Sequence, residues 1–210
     1  MRRRYYIIYL VCLILFGLLC YAVCRSYNLP GDLAISSWFT GINGSSIDRL
    51  MVAVSGFGET VVEIITISLL VLVLMLYKKK LEAFFVAILP SLVALFTWLL
   101  KIIINRPRPG DELASDRGLS FPSGHVSYIV VLFGFLLYVL PWLIRQRIIK
   151  TVLQVMMIIL MLLMMTSRIY LGEHWPSDVL GGAMLAGLIL VPLILIYTKN
   201  NQGGKGARAA

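Results

Sequence analysis

Charge is scarce in this chain. Only 14% of its 210 residues are Asp, Glu, Lys or Arg, where a soluble domain carries about 25%, and 60% are apolar. The shortage excludes a water-soluble core under a charged shell and points to an integral membrane protein. Histidine is limited to His125 and His174, and cysteine to Cys12, Cys20 and Cys24. The three thiols sit in or at the end of the first apolar run without metal-like spacing, so they read as lipid-facing or packing residues. Two histidines beside one aspartate are a thin set for a metal, and Asp111, Glu112 and Asp116 show no ligand spacing. No metal and no cofactor are expected. There is no repeat of fixed period and no stretch left over for a soluble domain. A net charge of +9 would suggest nucleic acid in a soluble protein, but here the placement of the charges matters more than their sum, and no nucleic-acid partner is expected.

What the chain does have is long apolar runs. Residues 5–24 carry no charge and are long enough to cross a hydrocarbon core of about 30 Å as a helix. A charged start before an apolar run also resembles a signal peptide, but this run is long for an h-region and lacks a small-x-small cleavage site, so a retained helix is expected. Further spans are expected at about 59–77, 83–100, 125–144, 151–167 and 178–198, with Pro90 kinking the third. The expected fold is all-α: a six-transmembrane-helix bundle in one domain, 1–199, followed by a polar, disordered tail, 200–210. Residues 25–58 read as a turn-rich, aromatic interfacial stretch with a short amphipathic helix at 47–54. Glu59 and Glu63, one turn apart, read as a solvated helix start.

Orientation follows from the basic residues. Twelve of them (2–4, 78–80, 145, 147, 150, 199, 205, 208) fall on the side of the N-terminus and seven on the other, which puts both termini in the cytoplasm. Nine of the ten acidic residues, all but Glu82, fall on the outer face. Three polar pieces interrupt the oil, and all three land on that face. They are Lys101 through Arg108-Pro109, Pro122-Ser123-Gly124-His125, and Ser167-Arg168 through His174 to Asp178.

The residue types in these pieces suit phosphoryl transfer, which needs anionic oxygens held while a nucleophile attacks in line. A Pro/Gly turn into an apolar helix at Ser123-Gly124-His125 aims unpaired N–H groups and the positive end of a helix dipole at the outer surface. Lys101, Arg108 and Arg168 add cationic donors. Asp178 lies four residues after His174, so the carboxylate can hold one ring nitrogen and aim the other outward, as an imidazole nucleophile needs. His125, from another helix, can donate a proton to the leaving oxygen.

Lys101-x6-Arg108-Pro109, Pro122-Ser123-Gly124-His125 and Ser167-Arg168-x5-His174-x3-Asp178 resemble the three signature motifs of the type 2 phosphatidic acid phosphatase family, and the six-helix layout resembles its membrane-bound branch. The resemblance implies a phosphohistidine mechanism without a metal. His174 would attack phosphorus with Asp178 behind it, and His125 would protonate the leaving group. Lys101, Arg108, Ser123, the Gly124 amide and Arg168 would hold the phosphoryl oxygens. Arg106, Glu173 and Trp175 fall between the fixed positions and receive no catalytic role, Glu173 reading as a solvated loop acid.

The expected activity is release of phosphate from a membrane lipid, whether a polyprenyl diphosphate, phosphatidylglycerophosphate or phosphatidate, on the extracytoplasmic face of a bacterial plasma membrane. The stretches 25–58 and 110–118 would select the headgroup. A lipid phosphotransferase would use the same phosphohistidine with another acceptor. A non-enzymatic anion or lipid transporter would need polar residues deep in the membrane, and the last three expected helices have almost none.

Overall fold

A computed structural model describes residues 2–42, 44–109 and 118–206. Among them are eight helices and no strand: α1 (Arg2–Arg25), α2 (Asp32–Thr40), α3 (Ser45–Gly56), α4 (Thr60–Leu76), α5 (Lys80–Ile104), α6 (Gly124–Leu143), α7 (Arg147–Tyr170) and α8 (Pro176–Gly206). Five of these, α1 and α5–α8, are long and apolar enough to cross a membrane. A sixth crossing results if α3 and α4, bent by 58° at their junction, are taken together. With 17 residues, α4 rises about 25 Å, near the lower limit for a span. The chain is an integral membrane protein with a polytopic all-α fold.

The boundaries differ from the sequence expectation where a charge was read as a stop. Lys101 does not close α5, which runs another turn until Asn105 takes a left-handed conformation (φ 52°) and returns its N–H to the Lys101 carbonyl. Likewise α7 keeps Arg147, Lys150 and Arg168 helical. A long cationic side chain reaches the interface from inside a helix, so it marks the membrane boundary rather than the helix end. The stretch 25–58 is more regular than a turn-rich reading allows. It holds α2, introduced by Gly31 at φ 93°, and α3, which extends the expected 47–54 helix in both directions. Helix α8 continues to Gly206, past residue 200 where an irregular tail was expected. Asp111, Glu112, Asp116 and residues 207–210 lie outside the described residues.

Helices α5, α6 and α8 form the centre. At the end away from the three motifs, Phe85, Phe135 and Tyr197 close on one another with ring centroids 5.4–5.6 Å apart, and the Tyr197 hydroxyl donates to Glu82 Oε1 at 3.0 Å. Helix α1 packs on the outside, Phe16 and Val23 meeting Ile104, Phe121, Leu185 and Leu188. Its other face, with Ile7, Leu10, Ile14 and Leu18, is exposed, as are Ile148, Val155, Ile159 and Leu162 of α7. In a bilayer these surfaces meet lipid tails. The apolar faces thus hold the ends of α5 and α7 and the starts of α6 and α8 side by side.

Candidate active site

His174 lies in the short turn between α7 and α8. Gly172 at φ 64° reverses the chain, and the Glu173 and His174 amides both donate to the Arg168 carbonyl at 3.1 Å. Asp178 sits in the first turn of α8, where its Oδ2 accepts the Trp175 amide at 2.9 Å and lies 3.4 Å from His174 Nδ1. Because the carboxylate also takes a guanidinium, it is an acceptor, so Nδ1 must carry the proton and Nε2 keeps its lone pair. Burial pulls the imidazole from its ordinary 6.5 to about 4, against the opposing bond and charge of Asp178, with Lys101 and Arg168 adding to the pull. The ring is therefore neutral at physiological pH, the state a nucleophile needs.

Behind Asp178 is a joint that has no role in the sequence reading. Arg106 is fully buried (0% exposed). Its Nη1 donates to Asp178 Oδ1 at 2.5 Å and to Ser177 Oγ at 2.7 Å. Its Nη2 donates to Asp32 Oδ2 at 2.7 Å, and its Nε to the Tyr27 carbonyl at 2.8 Å. Asp32, the first residue of α2, also accepts the Ser177 amide at 3.0 Å and the Ser177 hydroxyl at 2.7 Å. One buried cation thus ties two carboxylates together and fixes the start of α8 against α2. Removing Arg106 would leave two buried carboxylates without their shared cation, at a cost of about 3–5 kcal/mol.

On the other side, the start of α6 is tied to the same turn, the Ser123 amide donating to the Asp178 carbonyl at 3.1 Å. Gly182 of α8 makes this approach possible, since a Cβ there would fall 2.6 Å from the Ser123 carbonyl oxygen. Gly58 does the same for His125, whose ring would lie 2.1 Å from a Cβ. Arg108 Nη1 donates to the Glu173 carboxylate, and Arg168 Nη2 lies 3.6 Å from it. Arg168 Nη1 also donates to Ser55 Oγ, and Lys101 Nζ to the Leu119 carbonyl. Glu173 is therefore half-buried and paired rather than solvated.

Every residue singled out from the three motifs lies in this one cluster. Among the described residues, buried Arg108 Nε, Arg168 Nε, Ser123 Oγ and His125 Nε2 have no protein hydrogen-bond partner. Polar atoms left so in a buried site are open to water or to an anion, and a carboxylate already drawn between two of the cations shows that the place accepts negative charge. No group of three or more His, Cys, Asp or Glu that could hold a metal occurs among the described residues.

The family model of the PAP2 superfamily matches residues 79–202. The chain belongs to the PAP2 superfamily. As a member it is an enzyme of the phosphatase class, a phosphoric monoester or diphosphate hydrolase. This PAP2 chain is 29% identical to phosphatidylglycerophosphatase B of Bacillus subtilis (strain 168) over 169 residues, 78% of this chain and 81% of the relative. Its fold matches the crystal structure of a transmembrane PAP2-type phosphatidylglycerolphosphate phosphatase from Bacillus subtilis with a TM-score of 0.75, at 24% identity, over 93% of this chain and 96% of that one. Aquifex aeolicus LpxE matches with a TM-score of 0.60 at 22% identity, over 80% and 94%. Asp32, Ser55 and Gly58 precede the PAP2 match, yet they touch its arginines and histidine.

Proposed function

We propose that this PAP2 enzyme hydrolyses the terminal phosphate of a membrane lipid through a phosphohistidine on His174, at the extracytoplasmic face of a bacterial plasma membrane, with both termini in the cytoplasm. The observation that carries the reading is a neutral, buried imidazole fixed by Asp178 next to arginines whose Nε atoms have no partner among the described residues. Lys101, Arg108, Arg168, Ser123 and the first amides of α6 hold the phosphoryl oxygens. His174 Nε2 attacks phosphorus, the bond to the leaving oxygen breaks, and His125 gives that oxygen a proton. Water then adds to phosphorus with His125 taking its proton, the P–N bond breaks, and phosphate leaves. The cationic side chains and helix amides supply the charge stabilisation, so no metal is required. Sequence likeness to a phosphatidylglycerophosphatase favours a phospholipid substrate.

The test is phosphate release by purified protein in detergent with excess chelator, from phosphatidylglycerophosphate, phosphatidate, a polyprenyl diphosphate and a soluble phosphate ester. Chelator-resistant release from lipids that is lost in His174→Ala is expected. Release that persists in His174→Ala would overturn the reading, and absence of release from every substrate would move it to a phosphotransferase.

A further inference from the structure

A cavity of about 240 Å³ opens directly beneath the candidate phosphoryl site, between α4, α5 and α6. Lys101, Gly124 and His125 line its upper end, and Pro90 its lower end. Lys101 and Pro90 are eleven residues apart on α5, about 16 Å along the helix. Below Lys101 and His125 the wall combines apolar side chains with the polar Thr60, Tyr128, Thr97 and Glu63, and the last two bear on the choice of leaving group. Thr97, one turn below Lys101, is 5% exposed, and its Oγ1 has no partner among the described residues. Threonine in a helix commonly returns its hydroxyl to its own backbone, and this one does not. Its methyl group approaches Gly124, within 3.7 Å of where a Cβ would stand, so the side chain sits at the start of α6 beside the phosphoryl site. Glu63 of α4 lines the same cavity with Val93, Ala94 and Trp98.

Carboxylates also stand at this cavity, Glu63 in its wall and Glu59 with Oε1 4.0 Å from His125 Nε2, while Lys101 lies at its upper end. A second phosphate on the leaving group that reached past Lys101 would set its anion against Glu63. A purely hydrocarbon leaving group would leave Thr97 Oγ1 and the Glu63 carboxylate without partners, the kind of loss by which a polar subsite rejects an analogue lacking its hydroxyl. An uncharged alcohol with a free hydroxyl beside the scissile C–O bond satisfies both.

Resting on the phosphatase reading above, we propose that this cavity is a leaving-group subsite for a hydroxyl-bearing alcohol. The substrate is a phosphomonoester whose phosphorylated carbon neighbours a carbon with a free hydroxyl, and Thr97 and Glu63 are its specificity-determining residues. The hydroxyl donates to Glu63 and bonds Thr97, which turns the leaving oxygen toward His125.

The experiment compares kcat/KM for phosphatidylglycerophosphate with its analogue lacking the hydroxyl on the carbon next to the phosphate ester, and with a polyprenyl diphosphate, in the wild type, Thr97→Val, Thr97→Ser and Glu63→Gln. The wild type is expected to favour the hydroxylated lipid over the deoxy analogue by about tenfold or more. That ratio falls toward one in Thr97→Val and recovers in Thr97→Ser, while Glu63→Gln lowers the preference for the monoester over the diphosphate. A wild-type ratio near one, with both lipids hydrolysed, overturns the subsite and leaves the phosphatase reading standing. A ratio that is high in the wild type and unmoved in all three variants overturns the assignment to Thr97 and Glu63. Absence of hydrolysis of all three lipids by the wild type overturns both readings. The wild-type comparison needs no variant to fold.

Discussion

On one side of the site His174 is 1% exposed, and the bonds behind it run from ring nitrogen to carboxylate to guanidinium to a second carboxylate without meeting solvent. On the other side His125 is 22% exposed, its Nε2 has no hydrogen-bond partner among the described residues, and it borders an open cavity. On the proposed mechanism the first wall holds one geometry because a nucleophile must be presented in a single orientation and tautomer, and the second leaves room because a leaving group of variable length must enter beside its proton donor. Changes in the first wall should therefore lower the rate for every substrate alike, whereas changes in the cavity should alter the choice among substrates.

Asp178→Asn presses hardest on that contrast. The variant keeps the shape but loses the carboxylate that fixes the Nδ1–H tautomer, and kcat is expected to fall by about 10⁴-fold for all lipids, in line with losses seen when an orienting aspartate is neutralised. Nitrogen-15 spectra of the two histidines read the cause directly. In the wild type His174 should remain neutral with its proton on Nδ1 from about pH 5 to 8, taking a second proton only as pH falls through about 4. A tautomer with the proton on Nε2 would break the first half of the comparison.

Gly58→Ala tests the second histidine from outside the family match. The added Cβ would stand 2.1 Å from His125 Cδ2, and displacing a reacting group by about 1 Å costs roughly 10²-fold in rate. Full activity with an unchanged helical circular-dichroism spectrum would show that His125 need not sit where it does.

Asp32→Asn sharpens the difference between positioning and selection. The amide retains acceptor capacity but leaves Arg106 with one buried carboxylate instead of two. A fall in kcat of about tenfold is expected, with KM changed less than about twofold and an unchanged ranking of lipids. A changed ranking would mean that the two walls are not separable.

These residues also show what was legible beforehand. The motif positions could be read because each is a polar exception in an apolar run and the spacing is local: His174 and Asp178 are one helical turn apart, and Ser123, Gly124 and His125 are consecutive. Arg106 could not, since an arginine beside proline at the end of a span looks like an interfacial charge, and its partner Asp32 lies 74 positions away in a helix obscured by turn residues. Thr97 reads as one more small residue in an apolar helix until its unbonded hydroxyl is seen next to a cavity. Glu173 reads as a loop acid until Arg108 and Arg168 are found on it. Five of the six expected spans were visible from apolar length, and so was the break between a short helix at 47–54 and the stretch from 59; that α3 and α4 would have to be taken together to make a sixth crossing was not.

Glu173→Gln is expected to have the smallest effect. With the competing carboxylate neutralised, inorganic phosphate should inhibit about three- to tenfold more tightly, the scale of one charge-assisted contact. Weaker inhibition would show that Glu173 orients the arginines rather than competing for them.

The most direct measurement is rapid mixing of the purified enzyme, in detergent with excess chelator, with a lipid carrying a radiolabelled terminal phosphate, quenched into alkali and mapped by peptide mass spectrometry. The expected result is an acid-labile, alkali-stable phosphoryl group on His174 that forms and decays at rates compatible with turnover and is absent in His174→Ala. Turnover with the label on another residue, or undiminished turnover in His174→Ala, would contradict the mechanism.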